Sequence, residues 1–285
     1  MLITIHLLLI ACYDFYEKRS QLMSKVWPDL SKMPDPNDSS RSQYRAIRCK
    51  PEEIAPNVIV PGDPMRAKFI AEEWLTDAKL IMVQREFHTY TGTYKNIPIS
   101  VISTGIGCPS AAMVIQDLGK INCNYLIRVG TAGSCSAEIK PGDNVIGTGA
   151  VRDEGLTSKF LPLKYPAVSD IDVTNALLQA SQKNSITVHK GIIHTSDAFN
   201  SPDLPADIET ARQAGIKAFE MEASAVMMIG ALNNIKTGCI LSIDGYVMNI
   251  SEGNVKPDSK ACAEGLSGAI QSALDSFLIL NSNDS

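Results

Sequence analysis

Residues 60–66, Val60-Pro61-Gly62-Asp63-Pro64-Met65-Arg66, read as a strand end, a glycine turn and a helix start, with Arg66 in the first helical turn. A helix N-terminus offers unpaired N–H groups and partial positive charge. A guanidinium beside it adds two parallel hydrogen bonds to an oxyanion. Together these would hold phosphate, although a tight turn with an exposed arginine has the same spelling. Leu126-Ile127-Arg128-Val129-Gly130-Thr131-Ala132-Gly133 sets Arg128 inside an apolar strand. Burying a guanidinium alone is costly, so Arg128 either pairs with a carboxylate or awaits an anionic ligand. Thr131 and the glycines add a hydroxyl and close backbone approach. Gln84-Arg85-Glu86-Phe87 puts a third arginine at a strand end, where a surface ion pair is the alternative.

Two further stretches offer carboxylates. Phe219-Glu220-Met221-Glu222-Ala223 opens a run predicted as a helix over 220–234. Acids in a first turn complement the macrodipole, and an ionised carboxylate also suits a vicinal diol, accepting two hydrogen bonds. Cys239-Ile240-Leu241-Ser242-Ile243-Asp244-Gly245 ends an apolar strand in an aspartate. In open α/β sheets ligands gather at the carboxyl ends of strands. An acid there donates protons if burial raises its pKa; a turn aspartate is the plain alternative.

The elements that must position these groups alternate. Strands are predicted at 57–60, 97–104, 124–131, 143–151, 187–197 and 237–245, and helices at 64–75, 109–121, 170–184, 220–234 and 259–280. Asp63 is the expected N-cap and Pro64 the first helical residue. The pattern predicts one α/β domain, a central mixed twisted β-sheet flanked by helices, over 46–285.

Composition sets the outer limits. The 285 residues are 45% hydrophobic and 20% charged, an ordinary globular balance. A net charge of −5 with no basic cluster argues against nucleic acid. Seven cysteines without a CxxC pair, and four histidines without HExxH spacing, argue against a disulfide framework or a zinc site. Reduced thiols and a cytoplasmic location are the simpler reading. Residues 2–13 form an apolar run too short to span a bilayer; a signal-peptide core is the alternative, without a preceding basic residue or a clear cleavage site. Residues 28–43 read as a flexible linker, and everything before about residue 45 is expected to be a disordered extension outside the fold. No GxGxxG follows the first strand, which removes the dinucleotide-binding fingerprint.

Taken together the wording is specific. The GDPxR turn (62–66), REF (85–87), STGIGxPS (103–110), IRVGTxG (127–133), AVRDEG (150–155), YPAV (165–168), SDxF (196–199), EMEA (220–223) and the final strand-Asp-Gly occur in the order of the hexameric nucleoside phosphorylase/uridine phosphorylase family. The chain resembles that family over about residues 46–281. The resemblance implies cleavage of a nucleoside by inorganic phosphate to free base and ribose 1-phosphate, without an organic cofactor or a membrane. It implies a phosphate site of Gly62, Arg66, Arg128 and Thr131, and an Arg85 that reaches a neighbour's phosphate within a homo-oligomer, a trimer of dimers. Met221 and Glu222, with Glu220 beside them, resemble the ribose contacts. Phe199, Phe219 and Gly133 resemble the base pocket, and Asp244 the acid that protonates a purine at N7. Glu86, Ile106 and Ser110 match positions that hold potassium in some uridine phosphorylases.

Two departures bear on substrate. Where the family has a histidine that reaches the neighbour's ribose, this chain has Ala46, which admits a non-catalytic storage relative. AVRDEG and YPAV resemble uridine phosphorylases, yet after Phe199 the uracil-reading Gln and Arg are missing: Arg212 and Gln213 come too late and in the wrong order. IDGYVMNISEG is most similar to apicomplexan purine enzymes. The expectation is therefore a purine nucleoside, with uridine as the alternative.

Overall fold

A computed structural model describes residues 33–35, 37–121, 123–247 and 259–283. The chain divides into Met1–Asp35 and Pro36–Ser285, and all that follows concerns the second unit. The expected boundary near residue 45 falls earlier. Arg41, Tyr44, Ala46, Ile47 and Cys49 are buried. Arg41 clasps Glu53 through two hydrogen bonds of 2.7 and 2.6 Å, and Asp117 accepts from the Ala46 amide at 2.7 Å. Residues 37–45 thus belong to the fold, because buried groups tie them down where composition alone suggested a linker. Residues 1–32, with the apolar run, lie outside the described residues.

The strands are β1 (Asn57–Val60), β2 (Thr76–Gln84), β3 (Phe87–Tyr94), β4 (Ile97–Ile102), β5 (Tyr125–Ser134), β6 (Asn144–Asp153), β7 (Ala167–Val168), β8 (Val188–Ser196), β9 (Ala218–Glu220) and β10 (Lys236–Tyr246). The helices are α1 (Pro64–Trp74), α2 (Cys108–Leu118), α3 (Ile171–Lys183), α4 (Leu204–Gln213), α5 (Ala223–Leu232) and α6 (Ser259–Asn283). Asp63 caps α1, accepting from the Met65 amide at 2.8 Å, with Pro64 at the first helical position.

The sheet runs β10-β6-β8-β9-β5-β1-β4-β3-β2, and β10 also pairs with β5. The expected mixed sheet therefore curls: β10, β6, β8, β9 and β5 close on themselves, and the β1-β4-β3-β2 arm extends from β5. Parallel pairings join β1 to β4 and β5, β5 to β10, and β8 to β6 and β9; hairpins and sheet closure supply the antiparallel ones. Strands covered on both faces read as unbroken apolar runs, which is why β1 and most of β5 and β10 are buried throughout. One core lies under α1, α3 and α6, around Ile70, Ile127, Leu177, Leu274 and Phe277. Another lies under α5, around Met227, Met228, Ile193 and Leu241.

One element differs in kind from its expectation. Glu220 is the last residue of β9, and α5 starts only at Ala223, with no acid in its first turn. The carboxylates of EMEA hence act from just outside the helix, Glu220 accepting from the Ala223 amide at its start and Glu222 standing as its N-cap. They sit on the strand and the turn before the helix, where the Arg128 side chain from β5 and the Gly107 amide at the α2 entry reach them.

Candidate active site

A cavity of about 970 Å³ opens where β1, β5, β9 and β10 end at their carboxyl edges. Gly62, Arg66, Arg128 and Thr131 line one part of it. Glu220, Met221 and Glu222 line another, and Gly133, Phe199, Phe219 and Asp244 a third. Gly62 and Asp244, far apart in the chain, meet here because β1 and β10 both run parallel to β5 and bring their carboxyl ends to one edge.

Arg66 enters from the first turn of α1. Among the described residues no carboxylate lies within ion-pair distance of it. Burial and the neighbouring Arg128 guanidinium hold its pKa below the ordinary arginine value, against the pull of Asp63, Asp244 and Glu222. Two cations thus face one cavity, and the environment disfavours the charge on Arg66 until an anion arrives.

Arg128 is only 3% exposed and has found the carboxylates its burial requires. Its Nε donates to Glu220 at 2.9 Å, and its Nη2 forms an ion pair with Glu222. Burial alone would lower its pKa, but Glu222 and Glu220 more than offset that and raise it. A Cβ on Gly130 would come within 2.9 Å of the Arg128 Nη2, so glycine leaves room for the guanidinium.

Glu220 and Glu222 differ in their duties. Glu220 accepts from Arg128, from Thr195 Oγ1, and from the amides of Glu222 (2.8 Å) and Ala223 (2.8 Å). Its oxygens are engaged by the protein, and it fixes the turn from β9 into α5. Glu222 accepts from the Gly107 amide at 2.5 Å, tying that turn to the entry of α2. Burial raises the pKa of Glu222 despite Arg128.

Asp244 reaches the cavity through a β-bulge. The β10–β5 register shifts between Ile243 and Gly245, which pair with Ala132 and Gly133. The extra residue is Asp244, and such a bulge re-aims a side chain out of the ladder. Burial raises its pKa, opposed by Arg66 and by a hydrogen bond from Thr131. An acid whose pKa burial raises, set at the wall of a pocket, is suited to protonating a leaving group.

Phe199 stands 64% exposed at the rim, while Phe219 is buried in the wall. Glu86 and Ile106 also line the cavity, and Ser110 donates to Glu86 at 3.1 Å. Arg85 is not brought to this cavity. It lies on the exposed β2–β3 turn with a left-handed backbone, φ 56°. Ala46 is buried against Asp117 and does not line the cavity either. Of the quoted tail, residues 248–253 lie outside the described residues.

A buried support network was not legible in the sequence. Glu154 accepts from the amides of Leu156 and Thr157 at 2.7 and 2.9 Å and from Ser224 Oγ at 3.1 Å. Thr195 Oγ1 accepts from the Ser224 amide at 3.0 Å. The network pins the N-terminus of α5 and with it Glu222. Its only written signal is polar residues at otherwise apolar positions.

The family model described as "Phosphorylase superfamily" matches residues 56–279. This chain belongs to the phosphorylase superfamily. It is 37% identical over 220 residues to uridine phosphorylase of Thermococcus kodakarensis, covering 73% of this chain and 79% of that one. It is 36% identical over 208 residues to purine nucleoside phosphorylase DeoD-type of Streptococcus suis, covering 72% and 88%. The crystal structure of purine nucleoside phosphorylase from Toxoplasma gondii in complex with immucillin-H superposes with a TM-score of 0.80 at 30% identity, covering 84% of this chain and 97% of that one. Among the described residues, no helix is long and apolar enough to cross a membrane.

Proposed function

We propose that the protein is a nucleoside phosphorylase, a pentosyltransferase, and that its substrates are purine nucleosides of the inosine and guanosine type. The observation that carries this reading is Arg66, a cation without a carboxylate partner among the described residues, facing a cavity beside Arg128. Water as nucleophile would need no such gathering of positive charge; phosphate does. Phosphate would rest on Gly62, Arg66 and Thr131 and on the Nη1 edge of Arg128, whose Nε and Nη2 are turned to carboxylates. Met221 and Glu222 would bind the ribose. Glu220 would act through Arg128 and the α5 turn rather than on the sugar.

In this reading a phosphate oxygen attacks C1′ as the C1′–N9 bond breaks, and the bond's electron pair passes to the purine. Asp244 gives its proton to N7 and leaves as carboxylate beside Thr131 and Arg66. Positioned acid catalysis of this kind is worth about 10²–10⁴-fold, and fixing phosphate beneath the sugar removes the entropy cost of encounter. Gly133, Phe199 and Phe219 would sandwich the base. Arg85 would serve a neighbouring copy in a homo-oligomer, and Glu86, Ile106 and Ser110 are the residues that would hold potassium.

Purine is favoured over uridine by Asp244 and by the fate of Arg212. Arg212 lies exposed at the end of α4, paired with Glu209 at 2.8 Å, outside the cavity, so it is not available to read a uracil edge. The test is incubation with inosine and with uridine, each with and without phosphate. Phosphate-dependent release of hypoxanthine is expected. Release of uracil alone would transfer the assignment to uridine, and phosphate-independent cleavage or no cleavage at all would refute phosphorolysis.

A further inference from the structure

We infer that His194, which does not line the cavity, is a positioning residue that sets the base-facing ring of Phe219; this rests on the reading of the cavity as a nucleoside site. His194 and Phe219 are direct neighbours on the parallel strands β8 and β9. Their rings stack with centroids 4.3 Å apart and planes 15° from parallel. His194 is itself held, its Nε2 lying 3.1 Å from an Asp153 carboxylate oxygen on β6. Both residues are buried.

The chemistry explains the choice of imidazole. A phenylalanine in a pocket wall can rotate about χ2 unless something flat backs it. An aliphatic neighbour fills space without setting a plane. An imidazole presents a plane, and its ring nitrogen gives Asp153 a handle by which that plane is fixed to a third strand. The chain Asp153–His194–Phe219 therefore transmits a fixed orientation from the sheet to the base. Aromatic pairs contribute beyond their buried area because of this geometry.

The test uses the full chain and separates base from sugar. Calorimetry with free hypoxanthine and with ribose 1-phosphate is run on the wild type, His194→Ala, His194→Phe and Asp153→Ala, alongside inosine phosphorolysis. His194→Ala should weaken hypoxanthine binding and raise the inosine KM by roughly three- to tenfold. Ribose 1-phosphate affinity and kcat should stay unchanged. His194→Phe, which keeps a flat backing, should recover most of the loss. Asp153→Ala should show a smaller loss confined to the base, and it tests the tether even if His194→Ala does not fold. Equal weakening of both ligands, an unchanged hypoxanthine affinity, or a His194→Phe as poor as His194→Ala would overturn the inference while leaving the phosphorylase reading intact. A folded wild type that binds neither ligand and cleaves no nucleoside would take down both.

Discussion

Replacing Arg66 by methionine is the sharpest perturbation available. Methionine keeps an apolar stem of similar length but removes the guanidinium. The folded environment lowers the pKa of Arg66, through burial and the Arg128 charge. A cationic group with a lowered pKa is destabilised in its charged form by folding, so the neutral substitute should leave the phosphate-free protein as stable as the wild type or more so. The reverse holds for ligand. A hydrogen bond to a charged group contributes about 1.5–3 kcal/mol, and a bidentate arginine–phosphate contact makes two. Loss of about 3 kcal/mol raises the phosphate KM by about 150-fold, at 1.36 kcal/mol per tenfold. The assays are the phosphate KM at saturating inosine and thermal denaturation with and without phosphate. Phosphate at 100 times its dissociation constant stabilises the wild type by about 2.7 kcal/mol; in Arg66→Met at the same concentration that gain should nearly vanish. A variant that loses stability without phosphate, yet keeps the wild-type KM and phosphate-induced shift, would make Arg66 a structural cation and refute the argument.

Other outcomes follow from the same geometry. Asp244→Asn should lower kcat on inosine by about 10²–10⁴-fold while hypoxanthine affinity changes little. Because burial raises the pKa of Asp244, wild-type activity should fall as pH rises through that raised value, and the variant's pH–rate profile should lack this limb. Glu220→Ala should cost about 3 kcal/mol of stability by denaturant titration, since it breaks a buried ion pair and strands part of the Arg128 charge; a loss under 1 kcal/mol would contradict the role assigned to Glu220. Asp275 is buried, which alone would raise its pKa, but hydrogen bonds from Lys95 (2.8 Å), Asn184 (2.8 Å) and Tyr94 (2.9 Å) outweigh this and lower it. Its contribution is full above the ordinary aspartate value of 3.8 and is lost as pH falls through the lower folded value. Asp275→Asn should therefore be less stable than wild type by about 1 kcal/mol at pH 7, the low end because Lys95 is solvent-exposed, and the gap should close in strong acid.

Much of this protein is decided locally and could be read from its residues. The Asp63 cap, Pro64 at the start of α1, the apolar run of β1 and the arginine within β5 are short-range features, so the elements and the candidate residues followed from spelling and order. The end of β9 reads as helix in the sequence because Ala223 onward is apolar at helical spacing, and nothing in EMEA marks where the strand stops. The tertiary structure alone decided how the candidates divide their work. Arg128 carried two readings, ion pair or anion ligand; only the approach of β9 and its turn to β5 supplied Glu220 and Glu222. Asp244 looked like a strand-end acid; the bulge against β5 turned it into the cavity. His194 carried no signal, because a histidine acquires meaning from what strand pairing sets beside it, here Phe219 and Asp153. Residue type and local spacing act over a few positions, whereas ion pairs, bulges and ring stacks depend on a register between distant segments that exists only once the sheet has closed.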